Sequence, residues 1–216
     1  MIDAHCHVRK NADRHFICGG EKEGSDVVFY GTHPWYVDEF DKEKLILNLM
    51  QDKNAGVGEI GLDRLKSREI SPLMRAVFNA QLEIAANFSR RVVLHGAKCW
   101  GEVVKACMPY SGKIPAFIFH GFSRSGGLIP DIAKLNGFIS VGPAVLNHHA
   151  VNYRNLVKAI PEDRLLIETD CIAENFSDVP PILSIAEEVA RLRSMNTESL
   201  IKLTDDNALR FLGEGE

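Results

Sequence analysis

The chain has 216 residues, of which 45% are hydrophobic and 25% charged, a composition typical of one compact globular domain with a substantial core. We therefore predict a single domain over residues 1–216. The formal net charge of −4 argues against a protein that coats nucleic acid by bulk electrostatic attraction, so any contact with phosphate has to be local.

Short apolar, β-branched runs alternate with longer amphipathic runs along the chain, a pattern typical of parallel βα units. Eight runs are predicted strands, at residues 2–4, 14–18, 27–31, 56–60, 92–94, 116–119, 138–141 and 165–168. Only a few residues separate the first two strands, which leaves no room for a normal crossover helix. The predicted fold is an α/β, (β/α)8 TIM-like barrel whose first crossover helix is reduced or missing. This loss agrees with a chain shorter than the ~250 residues typical of the fold.

The predicted helices have clear amphipathic stripes. Ser71 and Pro72 supply an N-cap residue and a proline at the first helical position, and apolar residues then recur at helical spacing. Similar stripes follow Asp41, begin at Ile182 and occupy residues 200–212. We interpret all of them as core packing against the sheet, with no cofactor role.

Six potential metal ligands lie on the predicted strands or directly beyond their carboxyl ends. A spacing of two places the side chains of His5 and His7 on the same face of the first strand. The other four are Glu59, His95, His120 and Asp170. Any one of them alone could be structural, but barrel enzymes carry their catalytic groups at this end of the strands, and an accidental gathering of six is improbable.

This set of side chains predicts a pair of metal ions. Neutral imidazole and carboxylate are the usual ligands of divalent ions such as zinc, manganese and magnesium. Six protein ligands exceed what one catalytic ion with an open position needs, and they suit two ions bridged by a carboxylate. We therefore expect two divalent metal ions (Zn, Mg or Mn) as cofactors.

The blocks around these residues resemble the TatD-type deoxyribonucleases, a family of amidohydrolase-like metal-dependent hydrolases. The matching blocks follow the family's order over nearly the whole chain: IDAHCHV, GTHPW, VGEIGLD, VVLHG, FHGFS, FISVGP, LLIETD and DNALRFL. The resemblance implies a TIM-like barrel with two divalent metals that hydrolyses phosphodiesters in DNA. It also implies that the six residues above are the metal ligands, with Glu59 as the bridge, and that His33 lies near the substrate phosphate.

The sequence departs from the family's pattern at the substrate-facing rim. His95 is followed by Gly-Ala-Lys98, where the family usually has Ser and Arg, so Lys98 would contact phosphate without the bidentate fork of a guanidinium. Asp170 is followed by CIAENFSDVPP, where the family commonly has a proline and an Arg/Asn-containing loop. The departures concern the substrate, and the metal set is intact.

We predict that a metal-activated water attacks a DNA phosphodiester, with Asp170 orienting the water and accepting its proton. His33, together with Lys98 or Arg124, is expected to offset charge on the phosphoryl oxygens. Asp63 is placed with these substrate-side residues, where it either orients a metal ligand or makes hydrogen bonds at the rim.

Three alternatives stay open at this point. The same metals and fold would serve an amidohydrolase or lactonase acting on a small amide or ester. Another phosphoesterase barrel could also begin with an HxH motif, although it would not be expected to contain GEIGLD. The third alternative is a non-catalytic interaction module, which the intact ligand set argues against.

The cysteines and the apolar runs bear on the compartment. The five cysteines form no CxxC pair, and their odd number favours a reducing cytoplasm. The amino terminus lacks the apolar core of a secretory signal, and no apolar run is long enough to span a bilayer. We expect a cytoplasmic monomer with DNA as its partner and no membrane contact.

Overall fold

A computed structural model describes residues 1–123 and 126–215, and its eight strands all run parallel in a single sheet. The strands are β1 (Ile2–Cys6), β2 (Arg14–Cys18), β3 (Val27–Tyr30), β4 (Gly56–Asp63), β5 (Val92–Ala97), β6 (Phe117–Phe119), β7 (Gly137–Val141) and β8 (Leu165–Ile167). Each strand pairs with the next one along the chain. Just beyond β8, the backbone N–H of Asp170 donates to the carbonyl of His5 at 3.1 Å, which brings the last strand beside the first. The predicted (β/α)8 barrel is confirmed.

Seven α-helices surround this barrel within the described ranges: α1 (Lys42–Gln51), α2 (Pro72–Asn87), α3 (Trp100–Cys107), α4 (Ile129–Lys134), α5 (Val151–Ala159), α6 (Ile182–Arg193) and α7 (Thr197–Leu212). The predicted N-cap of α2 is confirmed, because Ser71 Oγ accepts from the backbone N–H of Met74 at 3.0 Å. Asp41 caps α1 in the same way, accepting from the backbone N–H of Lys44 at 2.9 Å.

No helix of residues 1–123 or 126–215 combines the length and the apolar character needed to cross a bilayer.

The first two connections of the barrel contain no helix. Residues 7–13 join β1 to β2, and residues 19–26 join β2 to β3. The predicted loss of the first crossover helix is therefore confirmed, and the second crossover helix is missing as well. The gap between the second and third predicted strands was also too short for a crossover helix, so spacing could have revealed the second loss.

The loop after β8 packs where the first helix would otherwise cover the sheet. Val179 in this loop joins Cys6 and Ile17 in a small buried cluster. Lys10 Nζ, from the connection between β1 and β2, donates to the carbonyl of Val179 at 2.6 Å and also to that of Phe176. Because Asp170 lies near the start of this loop, the same contacts hold one side of the barrel mouth.

The interior of the barrel is closed at its amino end by α7. The ring of Phe211 lies 5.7 Å from that of Phe16, 6.2 Å from that of Phe29 and 5.9 Å from that of Phe138, measured between ring centres. The apolar stripes of the other helices pack on the outer face of the sheet, as predicted. With the amino end filled, only the carboxyl end of the barrel is left to form a site.

Candidate metal centre

The carboxylate of Glu59 lies at the centre of the six predicted ligands. Its Oε1 is 2.6 Å from His95 Nδ1 and 2.7 Å from His120 Nε2. Its Oε2 is 3.3 Å from His7 Nε2 and 3.6 Å from His5 Nε2. Each oxygen thus meets two imidazoles from a different side of the barrel, which is the arrangement expected of a carboxylate that bridges two cations.

A close approach of two strands brings Glu59 to His95. Residue 61 of β4 lies opposite His95 of β5, and a Cβ added at Gly61 would be 1.9 Å from the carbonyl oxygen of His95. Gly61 also has a φ of +158°, which favours glycine. The glycine in GEIGLD therefore lets β4 approach β5, next to the strand positions that supply the two side chains.

Asp170 completes the set on the solvent side. Its Oδ1 is 3.4 Å from His5 Nε2, and its side chain is 47% exposed, against 5% for Glu59. The backbone of Asp170 has a φ of +49°, a conformation uncommon outside glycine and stabilised here by its hydrogen bond to His5. Burial by itself would raise the pKa of Asp170, but His5 and His120 lower it below its usual value. The carboxylate is therefore ionised and accessible to a substrate or a water.

The outer nitrogens of two imidazoles bond to groups that can only accept. His7 Nδ1 is 3.1 Å from the carbonyl oxygen of Cys18, and His95 Nε2 is 2.8 Å from Asp63 Oδ2. The ring protons of neutral His7 and His95 therefore sit on these outer nitrogens. A metal ion that replaces the inner proton of either ring would therefore find the lone pair of the inner nitrogen, which faces Glu59, available as a ligand.

His5 and His120 present their Nε2 atoms to the centre in the same way. His120 Nδ1 is 3.4 Å from Glu168 Oε1, while His5 Nδ1 is 3.5 Å from Cys18 Sγ. His5 Nε2 is buried and has no hydrogen-bond partner among the described residues. Buried polar atoms are nearly always paired, so an orphaned imidazole nitrogen beside two carboxylates fits a metal ligand. The donor set therefore fits divalent cations.

The ionisation of Glu59 favours the same interpretation. Burial by itself would raise the pKa of Glu59, but the imidazoles of His120, His7 and His95 hold that pKa well below its usual range. The carboxylate therefore stays charged, and both oxygens are available as ligands.

His33 differs from the other imidazoles around Glu59. Its Nδ1 accepts from the backbone N–H of Trp35 at 3.1 Å, so neutral His33 has its proton on Nε2, which is 3.8 Å from Glu59 Oε1. Burial lowers the pKa of His33 to about 4, which keeps the ring neutral. A neutral ring with an inward N–H can donate to a phosphoryl oxygen, and in this tautomer it offers no inward lone pair to a metal.

Three supporting residues had no role predicted from the sequence. Gln81 forms two hydrogen bonds with the backbone of Thr32, at 2.7 and 3.1 Å, and so fixes the segment that carries His33. Glu168 accepts from the backbone N–H of Gly121 at 2.8 Å as well as facing His120. Asp3 accepts from Thr169 Oγ1 at 2.6 Å, and burial raises the pKa of Asp3 to about 7.

The sequence contained a signal for two of these residues. Glu168 closes an apolar strand just as His120 does, and Gln81 interrupts the apolar stripe of α2. A polar residue at such a position is buried and needs partners, so both could have been singled out.

The residues predicted on the substrate side are placed differently. Asp63 is buried, with only 1% of its side chain exposed, and its Oδ2 lies 2.8 Å from His95 Nε2, a contact that favours the first of its two predicted roles, orienting a metal ligand. Lys98 is exposed in the turn after β5, three residues beyond His95. Arg124 lies outside the described residues.

Two cavities border the centre. One, of about 490 Å³, is lined by His7, His33 and Glu59 and extends past Tyr36 to Lys44 of α1. The other, of about 440 Å³, is lined by residues that include Asp170, Glu168 and Tyr153. The centre is thus bordered by open space on two sides.

Eight parallel strands that gather imidazoles and carboxylates at their carboxyl ends define a metal-dependent hydrolase of the (β/α)8 class. A family model described as TatD related DNase matches residues 18–213. This chain belongs to the TatD family. The match begins after His5 and His7, so the place of these two residues in the site comes from the geometry above.

Curated relatives agree with this membership, and a solved structure has the same fold. The chain is 28% identical over 193 residues to "Uncharacterized metal-dependent hydrolase YabD" of Bacillus subtilis, covering 84% of this chain and 75% of the relative. It is 29% identical over 204 residues to "3'-5' ssDNA/RNA exonuclease TatD" of Dickeya dadantii, covering 86% and 76%. The crystal structure of YJJV, a TatD homolog from Escherichia coli, shares the fold with a TM-score of 0.82 at 19% identity, over 97% and 96% of the two chains.

Proposed function

We propose that this protein hydrolyses phosphodiester bonds in single-stranded DNA with two divalent ions. The observation that carries the proposal is the Glu59 carboxylate, each oxygen of which faces two imidazoles. Membership of a family described as DNases and a relative named as a single-strand exonuclease support the choice of substrate. The proposed ligands are His5, His7, Glu59, His95, His120 and Asp170.

When bound, the two ions would lower the pKa of a water towards neutrality and offset charge on the phosphoryl group. The protein's own contribution begins with Asp170, whose ionised and half-exposed carboxylate orients the attacking water and accepts its proton. His33 donates from Nε2 to a phosphoryl oxygen. Lys98, exposed just beyond His95, offsets charge on the same or the next phosphate.

Asp63 and Glu168 hold the ligands in place. Asp63 accepts the outer N–H of His95 at 2.8 Å, and Glu168 faces the outer nitrogen of His120 at 3.4 Å. Both carboxylates fix the ring orientation of an imidazole and increase its basicity as a ligand. We also propose that the chain folds as a single domain and acts as a monomer in the cytoplasm.

The test is an assay of the metal-loaded protein and its Asp170→Asn variant on single-stranded DNA, bis(4-nitrophenyl) phosphate and a carboxylic ester. We expect turnover of both phosphodiesters and a loss of at least about 100-fold in kcat for the variant, since general-base catalysis typically contributes 10²–10⁴-fold. Asp206→Asn, an exposed change on α7 far from the centre, is the matched control and should behave as wild type. Turnover of the carboxylic ester alone would instead assign an amidohydrolase or lactonase, and no turnover at full metal loading would assign a non-catalytic module.

A further inference from the structure

Two aromatic side chains stand exposed beside the metal centre. Trp35 is 42% exposed and Tyr36 is 52% exposed, on the short 3-10 helix Pro34–Glu39 that directly follows His33. The ring centre of His33 is 5.0 Å from that of Trp35 and 6.1 Å from that of Tyr36. Large aromatic rings are normally buried for most of their area, so an adjacent exposed pair at an active site calls for a ligand.

A cation accompanies the pair. Lys66 Nζ lies 4.0 Å from the ring centre of Trp35 and 6.0 Å from that of Tyr36. Lys66 belongs to the exposed part of the loop between β4 and α2, which also carries Arg68, although the chain as a whole has a net charge of −4. The loop therefore places one ammonium group directly beside the aromatic rings.

We propose that Trp35, with Tyr36 and Lys66, forms a stacking platform for an unpaired base next to the scissile phosphate. Lys66 Nζ lies over the indole of Trp35, so a base that stacks on that face displaces the ammonium, which can then pair with a backbone phosphate of the same strand. Bases in a duplex have no free face, so the platform selects single-stranded over double-stranded nucleic acid. This inference rests on the nuclease function proposed above and adds the residues that hold the substrate.

The position of the platform beside His33 indicates that base stacking positions the strand at the metal centre. His33 Nδ1 accepts from the backbone N–H of Trp35, so the group that faces the phosphate and the ring that stacks on the base belong to one rigid turn. The turn itself is fixed through Thr32 by the buried amide of Gln81. A stacked base would therefore set the register of the strand against the metal centre.

Tryptophan fluorescence gives a direct readout of stacking. The chain has two tryptophans, and Trp100 is 2% exposed in the core. Titrating the metal-loaded protein with a phosphorothioate hexathymidylate, which resists hydrolysis, should quench the emission of Trp35. Anisotropy of a labelled copy of the same oligonucleotide reports binding independently. Saturated binding without quenching would overturn the platform.

Kinetics of Trp35→Ala and Trp35→Phe provide the second arm, measured on a hexathymidylate and on bis(4-nitrophenyl) phosphate. For Trp35→Ala we expect KM on the oligonucleotide to rise roughly 5- to 100-fold, as for other single bases stacked on aromatic rings, and to rise much less for the small diester. Trp35→Phe should recover most of the loss. Met50→Ala, which truncates an apolar side chain that is 64% exposed on α1, is the control and should leave KM unchanged for both substrates.

An abasic scan locates the stacked base. Replacing one nucleotide of the hexamer by an abasic site should weaken binding to wild type at a single position, and the same replacement should cost little in Trp35→Ala. If Trp35→Ala raised KM equally for the oligonucleotide and the small diester, or for neither, the stacking platform would be wrong. The proposed nuclease function would still stand. A wild-type protein that hydrolyses the small diester but neither binds nor cleaves oligonucleotides would overturn the proposed nuclease function together with the platform.

Discussion

At the scale of single residues, the centre depends on which nitrogen of each imidazole carries the proton. His7 and His95 donate outward to a carbonyl and a carboxylate, whereas His33 accepts outward and so donates inward. The same residue type can therefore serve as a metal ligand or as a hydrogen-bond donor to substrate. The partner of the outer nitrogen decides between the two roles.

Asp63→Asn tests this assignment. The amide is nearly isosteric, but it weakens the acceptor that holds the outer N–H of His95. We expect metal affinity to fall about 10- to 100-fold with the fold preserved. Competition titration with a chelating dye measures the affinity, and circular dichroism checks the fold.

Asp206→Asn, at an exposed ion pair on α7, is the matched control. An Asp63→Asn variant that binds metal as wild type does would show that Asp63 is a rim residue, the alternative that sequence analysis left open.

At the scale of elements, α7 and the loop after β8 compensate for the two missing crossover helices. The loop covers the outer face of β1 and β2 near Ile17, while α7 closes the amino end of the barrel with Phe211. Asp170 lies near the start of the loop that substitutes for a helix, so the shortened wall and the metal centre share a structural support.

Phe211→Ala tests the role of α7. The ring is 1% exposed and contacts three other phenylalanines inside the barrel, so its removal leaves a cavity that the rigid strands cannot fill. We expect a loss of about 3–5 kcal/mol in the free energy of unfolding, measured by denaturant titration.

Leu73→Ala, on a side chain 45% exposed, should cost well under 1 kcal/mol by comparison, as is usual for surface substitutions. A Phe211→Ala loss as small as that of Leu73→Ala would show that the plug contributes little to the stability of the barrel.

At the scale of the whole molecule, the eight strands and the gathering of the six proposed ligands at one end of the barrel could be predicted because both depend on local patterns. A histidine that follows a short apolar run, such as His95 or His120, lies near the carboxyl end of a parallel strand wherever the rest of the chain lies. The role of Asp63 could not be predicted, because it depends on the register between β4 and β5 that brings it to His95. The exposure of Trp35 depends in the same way on the packing around one turn.

The central claim of two bridged ions is tested most directly by counting metal in the purified protein. Elemental analysis and anomalous scattering from crystals should find two divalent ions per chain, one near each oxygen of Glu59. Glu59→Ala should lose at least one ion and nearly all phosphodiesterase activity, because the same carboxylate serves both. A wild-type protein that holds one ion at saturating metal, or a Glu59→Ala variant that keeps two ions and wild-type turnover, would contradict the account.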